Sequence, residues 1–186
     1  MEITTTFEPK TRAKWRAWLV EHHRTKKEIW LLRASSDAIS YLDVVEEALC
    51  FGWIDGIAKK YDAARTAQRL TPRRPKGNWT ELNKERVRRL IAEGKMTDAG
   101  LAVAPDLAAP FVMPAKVRAA LEADPAVWAN FQAFPPLYQR IRASYVEDAR
   151  KTPAEYDKRL ANLVARTRAN ETFGAWDDEK AKRTKG

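Results

Sequence analysis

The sequence predicts an α+β protein: a small antiparallel β-sheet flanked by helices, followed by a C-terminal helical module. One observation behind this is the alternation of residues 53–61 and 65–70, which is typical of two strands joined by a short turn at residues 62–64. The other is the region from residue 114 onward, where helical periodicity is interrupted only by prolines. A chain of 186 residues can bury a hydrophobic core without disulfides or metals.

Three elements are predicted ahead of the hairpin. Residues 9–23 form a first helix, since Pro9 suits a first turn and the tryptophans and leucine at 15, 18 and 19 share one face. Residues 27–34 form a short buried strand. Ser40 and Asp43 then indicate a capped helix start, and the helix ends before Gly52, because glycine takes a positive φ cheaply.

After the hairpin, Pro72 and Pro75 are expected to stop the strand and stiffen the loop that follows. Thr80 is the expected N-cap of a helix over residues 81–93, which ends at Gly94. The pattern predicts a buried face and a solvent-facing basic face on this helix. The buried face carries Leu82, Val87, Leu90 and Ile91, and the basic face carries Lys84, Arg86, Arg88 and Arg89.

Four segments are predicted along the chain. Residues 1–100 form the α+β domain, residues 101–113 a Pro/Ala-rich connection, residues 114–170 the helical module, and residues 171–186 a charged, disordered tail. In the module, Asp124 followed by Pro125 opens one helix. The residues from Thr152 to Glu155 predict a capping box at the start of the last helix.

The net charge of +9 is concentrated in residues 71–95 and 137–186. Nucleic acid, a phosphorylated ligand or an anionic membrane surface would suit this charge, and so would a merely solubilising surface. The single cysteine, Cys50, cannot form an internal disulfide, and no Cys/His cluster predicts a metal or another cofactor. With no signal peptide or spanning segment in the sequence, we expect a cytoplasmic protein.

The candidate ligand site lies between the hairpin and the following helix. Trp53 and Asp55 share one face of their strand, and Arg69 on the partner strand is expected to reach it if the register allows. A rigid, donor-rich loop at a helix N-terminus suits phosphate or carboxylate groups. Its residues are Arg73, Arg74, Lys76, Asn78 and Trp79. The alternative is that an arginine merely satisfies Asp55 and that Trp79 is a hydrophobic staple.

Three stretches of the sequence, residues 48–56, 68–75 and 78–84, resemble the YdeI/OmpD-associated family, also called bacteriocin-protection. The double proline at Pro135–Pro136, with Tyr138 and the basic helix after it, resembles the terminal module of that family. The resemblance covers roughly residues 7–168. It implies a link to antimicrobial-peptide resistance and envelope stress in bacteria, and it implies no catalytic residue set.

The leading prediction is therefore a non-catalytic binding protein with a Trp/Arg-lined pocket for an anionic or planar ligand. The alternative is a nucleic-acid-binding protein that uses the basic 73–89 face with the C-terminal basic helices. An enzyme is the weakest hypothesis, because Asp55 would be its only acid–base group. The sequence does not predict the oligomeric state.

Overall fold

The structure, a computed structural model, describes residues 2–34, 39–74, 77–174 and 176. The chain separates into an N-terminal unit, Met1–Asn78 with Arg86–Leu107, and a C-terminal unit, Trp79–Glu85 with Ala108–Gly186. The first unit contains a four-stranded sheet with helices, and the second is helical. The predicted α+β class, with a helical C-terminal region, is confirmed.

The sheet has the strand order β1-β2-β4-β3, built from β1 (Thr6–Phe7), β2 (Ile29–Ala34), β3 (Trp53–Lys60) and β4 (Arg65–Pro72). The predicted β3–β4 hairpin is confirmed, and β2 pairs antiparallel with β4. The sheet is nevertheless mixed, because β1 pairs parallel with β2. A helix connects these two strands, and a crossover connection is what lets neighbouring strands run parallel. A two-residue strand carries no periodicity that a sequence could reveal.

The helices of the N-terminal half are α1 (Arg12–His22), α2 (Tyr41–Cys50), α3 (Glu81–Ala92) and α4 (Asp98–Val103). Helix α1 begins later than predicted, because Thr11 is its N-cap and accepts a hydrogen bond from the Lys14 N–H. The predicted capping box of α2 is confirmed: Ser40 Oγ accepts from the Asp43 N–H, and Asp43 accepts from the Ser40 N–H.

The buried faces of α1 and α2 carry ionised groups as well as apolar ones. Glu46 and Glu47 on α2 are almost completely buried. Arg12 donates to both, at 2.9 Å and 2.6 Å, and Arg16 donates to Glu47 at 2.6 Å. Arg89 of α3 pairs with Glu46 as well. Burial acts to lower the pKa of Arg12, but the neighbouring Glu47 and Glu46 carboxylates outweigh it and raise that pKa.

Two of the predictions for α3 are wrong. Arg86, assigned to the solvent face, is only 7% exposed, whereas Ile91, assigned to the core, is 43% exposed. Val87 and Leu90 are fully buried as predicted. The buried face of α3 is therefore rotated toward Arg86. Arg86 is buried, and Arg89 is paired with the buried Glu46, so neither side chain lies on the solvent face. Periodicity alone favours the apolar residue, since it cannot see a buried ionic partner.

Helix α4 packs so closely on the end of α2 that the contact depends on glycine. The Thr97 side chain donates to the Cys50 carbonyl at 2.6 Å, and the Thr97 N–H donates to the same oxygen at 3.1 Å. A Cβ atom on Gly100 would lie 2.3 Å from that carbonyl oxygen. Gly52, with φ +74°, faces the Ala99 carbonyl in the same way, at 2.8 Å from its would-be Cβ.

The C-terminal unit contains α5 (Ala115–Glu122), α6 (Pro125–Ala133), α7 (Pro136–Glu147) and α8 (Pro153–Arg168). Asp124 caps α6 as predicted, accepting from the Ala126 and Val127 N–H groups. The predicted capping box at Thr152 is wrong: its side chain caps nothing, and Glu155 pairs with Arg159 instead. The buried core of this unit includes Val117, Leu121, Phe131, Tyr138, Val146 and Leu163.

Part of the segment predicted as a tail packs on this core. Phe173 and Trp176 both contact the Tyr138 ring edge-on, with ring centroids 6.4 Å and 5.4 Å away. Trp176 is 5% exposed. Residues 175 and 177–186 lie outside the described residues, so the disorder predicted for them stays a prediction.

We predict that Gly52→Ala destabilises the protein more than Gly94→Ala. Both glycines have positive φ, but only Gly52 has backbone atoms against its would-be Cβ, whereas Gly94 has nothing within 4 Å. Gly94→Ala should cost about 1 kcal/mol from backbone strain alone. Gly52→Ala adds an overpacking cost of about 1–3 kcal/mol. Urea denaturation followed by far-ultraviolet circular dichroism measures both, and equal losses would contradict the close α2–α4 contact.

Candidate functional site

Asp55, on β3, is paired with a tyrosine that the sequence reading missed. Its carboxylate accepts a hydrogen bond from the Tyr41 hydroxyl at 2.5 Å. Tyr41 is the first residue of α2, so the capping box at Ser40 sets its position. Although 44% of Tyr41 is exposed, shielding of its hydroxyl and the bond to Asp55 raise its pKa. The only sequence signal for Tyr41 is an aromatic residue directly after a capping serine.

Arg69 does not join Asp55. The register places Leu70 opposite Asp55 and Arg69 opposite Trp30 of β2. There Arg69 Nε donates to Glu28 at 2.5 Å, and the Thr4 hydroxyl donates to the other oxygen of the same carboxylate. The bonds from Thr4 and Arg69 lower the pKa of Glu28. Arg69 is therefore held in an ion pair next to β1, away from the predicted pocket.

Arg73 and Arg74 directly follow the end of β4, and they differ in how far they are exposed to solvent. Arg73 is 8% exposed; its N–H donates to the Gly52 carbonyl at 2.8 Å and its guanidinium to the Asn78 carbonyl at 3.3 Å. Burial lowers the pKa of Arg73 to about 10, with the charge of Asp55 acting in the opposite direction. Arg74 is exposed, and its carbonyl accepts a hydrogen bond from the Gly77 N–H at 3.1 Å.

The remaining predicted site residues have different surroundings. Trp53 is 1% exposed, packs edge-on against Trp18, and donates its indole N–H to the His23 carbonyl at 3.2 Å. Its side chain therefore serves the core of the N-terminal unit. Asn78 is exposed, and Trp79 is half-buried and belongs to the C-terminal unit. Lys76 lies outside the described residues.

The groups gathered at this site are suited to binding rather than to proton transfer. At neutral pH the Tyr41 phenol is protonated and Arg73 keeps its charge, since the pKa of each lies well above 7. A general acid or base works best with a pKa near the operating pH. The Tyr41 O–H already donates to Asp55, so this pair offers hydrogen-bond acceptors, and Arg73 offers a fixed positive charge.

Two family models match the chain in succession. One, described as a domain of unknown function (DUF8412), covers residues 7–103, more than half of the chain. The chain belongs to this family. The other, described as bacteriocin-protection, YdeI or OmpD-associated, covers residues 110–170. No curated protein and no solved structure matches.

The resemblance to the bacteriocin-protection family is thus confirmed, but for the C-terminal part alone. Residues 48–56, 68–75 and 78–84, which suggested it most strongly, fall instead within the DUF8412 match. The bacteriocin-protection match fits a link between the chain and bacteriocin protection or envelope stress. In the part of the chain that the structure describes, no helix has the length and hydrophobicity needed to cross a membrane.

We predict that Tyr41→Phe lowers the free energy of unfolding by about 1 kcal/mol, because it removes a hydrogen bond to a carboxylate at a partly exposed position. Tyr61→Phe is the matched control. Tyr61 is 42% exposed, close to the 44% of Tyr41, but its ring lies under the Arg65 guanidinium and its hydroxyl has no hydrogen-bond partner among the described residues. Chemical denaturation should separate the two variants, and equal stabilities would contradict the Tyr41–Asp55 bond.

We predict that Cys50 is inert in the folded protein. Burial and the nearby Glu47 carboxylate raise the pKa of the Cys50 thiol to about 11. At about pH 8, therefore, only about one thiol in a thousand is ionised, and the thiolate is the reactive form. A chromogenic disulfide reagent should label Cys50 only after denaturant is added. Rapid labelling without denaturant would mean that the thiol is accessible and activated.

Proposed function

We propose that this protein is a non-catalytic binding protein of the bacterial cytoplasm, active in bacteriocin protection or envelope stress. Its ligand is anionic or planar and binds where β4 ends, at Arg73 and Arg74 with Asn78 beside them. The bacteriocin-protection match supports the biological role. The lone cysteine, which suits a reducing compartment, supports the location.

The pairing of a buried Arg73 with an exposed Arg74 carries the proposal. Burying a guanidinium costs free energy, so a buried arginine is expected to have a specific structural or functional role. Arg73 is held by the Asn78 carbonyl and by the field of Asp55, which gives it a fixed position. Arg74, the next residue, adds a second guanidinium that can form two parallel hydrogen bonds to a carboxylate or phosphate.

This proposal fits the contacts of the basic residues better than nucleic-acid binding does. The alternative needs the cations of α3 to face phosphates. Lys84 is paired with Glu81, Arg88 donates to the Leu107 carbonyl at 2.9 Å, and Arg89 is paired with Glu46 and Glu93. Cations already engaged inside the protein release few counterions on binding DNA, and counterion release is what drives such binding.

The test compares Arg74→Ala with Arg24→Ala, a second exposed arginine of the N-terminal unit. Inorganic phosphate and adenosine monophosphate serve as probes, the second adding a planar group. Isothermal titration should show adenosine monophosphate bound about tenfold more weakly by Arg74→Ala, because a charge-assisted hydrogen bond is lost. Arg24→Ala should bind like the parent. If the two variants weaken binding equally, or if the parent binds neither probe, the assigned site is wrong.

A duplex oligonucleotide titrated at several salt concentrations tests the alternative in the same experiment. Binding through phosphate contacts should weaken steeply as salt rises. We expect no binding at physiological salt. Tight, strongly salt-dependent binding that Arg74→Ala and Arg24→Ala reduce alike would favour the nucleic-acid function over the ligand site.

A further inference from the structure

A cavity of about 600 Å³ lies within the C-terminal unit, where α7 and α8 meet the residues that follow α8. Its wall includes Ile141, Arg142 and Tyr145 of α7, Asn162 of α8, and Phe173 with Gly174. This volume falls in the range of sites that hold small organic molecules. Of the residues predicted for the first ligand site, none that the structure describes lines this cavity.

Arg142 is the unusual member of the wall. It is 8% exposed, and its guanidinium carbon lies 5.1 Å, 5.4 Å and 5.9 Å from the ring centres of Phe173, Tyr145 and Tyr138. Among the described residues it has no ion pair and no hydrogen bond, and its buried Nε atom is unsatisfied. Burial lowers the pKa of Arg142. The charge is thus enclosed by aromatic rings without a counter-charge.

The other charges of the cavity wall are either paired or exposed to solvent. Arg159 is paired with Glu155 and donates to the Tyr145 carbonyl, and the field of Asp148 acts on Arg159 as well. Glu81 is paired with Lys84 and lies 3.7 Å from Arg140. Lys158 is exposed to solvent. Arg142 therefore remains as the buried cation whose charge the described residues leave uncompensated.

The chain passes very close to the Arg142 guanidinium at Gly174. Gly174 has φ +80°, and a Cβ atom at that position would lie 2.2 Å from Arg142 Nη1. The chain thus passes directly against the guanidinium, at a residue whose positive φ favours glycine. Cation–π contacts offset part of the desolvation cost. They supply no hydrogen-bond acceptor, so the donors of the fork stay available to a ligand.

We propose that this cavity binds a small organic acid, with one carboxylate on Arg142 and an aromatic or aliphatic body against Phe173, Tyr145 and Ile141. One uncompensated buried cation calls for one negative charge on the ligand. The planar guanidinium fork matches a carboxylate with two parallel hydrogen bonds. The mainly apolar and aromatic wall explains why the ligand needs a hydrophobic body rather than charge alone.

The probes separate the contribution of the ligand's negative charge from that of its apolar rings. Naphthoate carries both, naphthamide carries the same rings without the charge, and inorganic phosphate carries charge without rings. Isothermal titration should show naphthoate bound at least about tenfold more tightly than naphthamide or phosphate, which is what one charge-assisted contact is worth. Equal binding of phosphate and naphthoate would overturn the organic-acid assignment. No naphthoate binding at millimolar concentration would overturn the site.

Two variants locate the contact, and one serves as control. Arg142→Met keeps an unbranched apolar side chain of similar length and removes the charge, so naphthoate should lose its advantage over naphthamide. Asn162→Trp, at an exposed position of the wall, should block both compounds without touching the core. Arg118→Met is the control, because Arg118 also covers a ring, that of Trp128 at 5.5 Å, outside this cavity. Unchanged naphthoate binding by Arg142→Met would overturn the proposal.

Stability provides the second readout. Replacing a buried uncompensated charge by an apolar side chain is often neutral or stabilising. The melting temperature of ligand-free Arg142→Met should therefore equal or exceed that of the parent. A marked loss of stability, together with unaltered ligand binding, would show that Arg142 only holds Phe173 in place. Arg74→Ala should bind naphthoate like the parent, which keeps this site distinct from the one at the end of β4.

Discussion

The N-terminal unit depends on two adjacent buried carboxylates. Glu46 and Glu47 occupy the inner face of α2, where an unpaired negative charge would cost several kcal/mol. Arg12 and Arg16 from α1 and Arg89 from α3 supply the compensating charges, so the docking of these helices on α2 is tied to ion pairing as well as to apolar contact. Arg12 also pairs with Asp43, the residue that completes the capping box of α2. The ionic network and the helix start are therefore one arrangement, and Tyr41 takes its position beside Asp55 from it.

The arginines of this protein differ in what surrounds their guanidinium groups. Arg12, Arg69 and Arg89 each meet a carboxylate, which is the ordinary way for a protein to bury or half-bury a guanidinium. Arg142 is as buried as many core residues but meets aromatic rings instead. Arg73 lies between these cases, held by a backbone carbonyl and the field of Asp55. Function is proposed for Arg142, whose charge meets aromatic rings, and for Arg73, which lies next to the exposed Arg74 at the end of β4.

Local chemistry accounts for the parts of the fold that the sequence predicted correctly. The Ser40 capping box, the positive φ of Gly52, the 62–64 turn and the Asp124 cap each depend on residues within about four positions of one another. The same reasoning was wrong at Thr152, where Glu155 is within reach of Arg159 one helical turn later and pairs with it instead. It was also wrong for Arg86, whose burial depends on neighbours distant in sequence.

By itself the sequence determined the class of fold, the hairpin, most helix boundaries and the residue types available for a site. The tertiary structure decided which of those residues meet. Asp55 bonds to Tyr41, 14 positions away in the sequence, and Arg69 bonds to Glu28, 41 positions away. Strand register and helix packing set both pairs. Tyr138, Arg142 and Tyr145 have the spacing of one helix face, so their grouping was readable in the sequence. That Phe173 and Gly174 pack against Arg142, and that no carboxylate among the described residues pairs with it, depended on chain packing that no local pattern encodes.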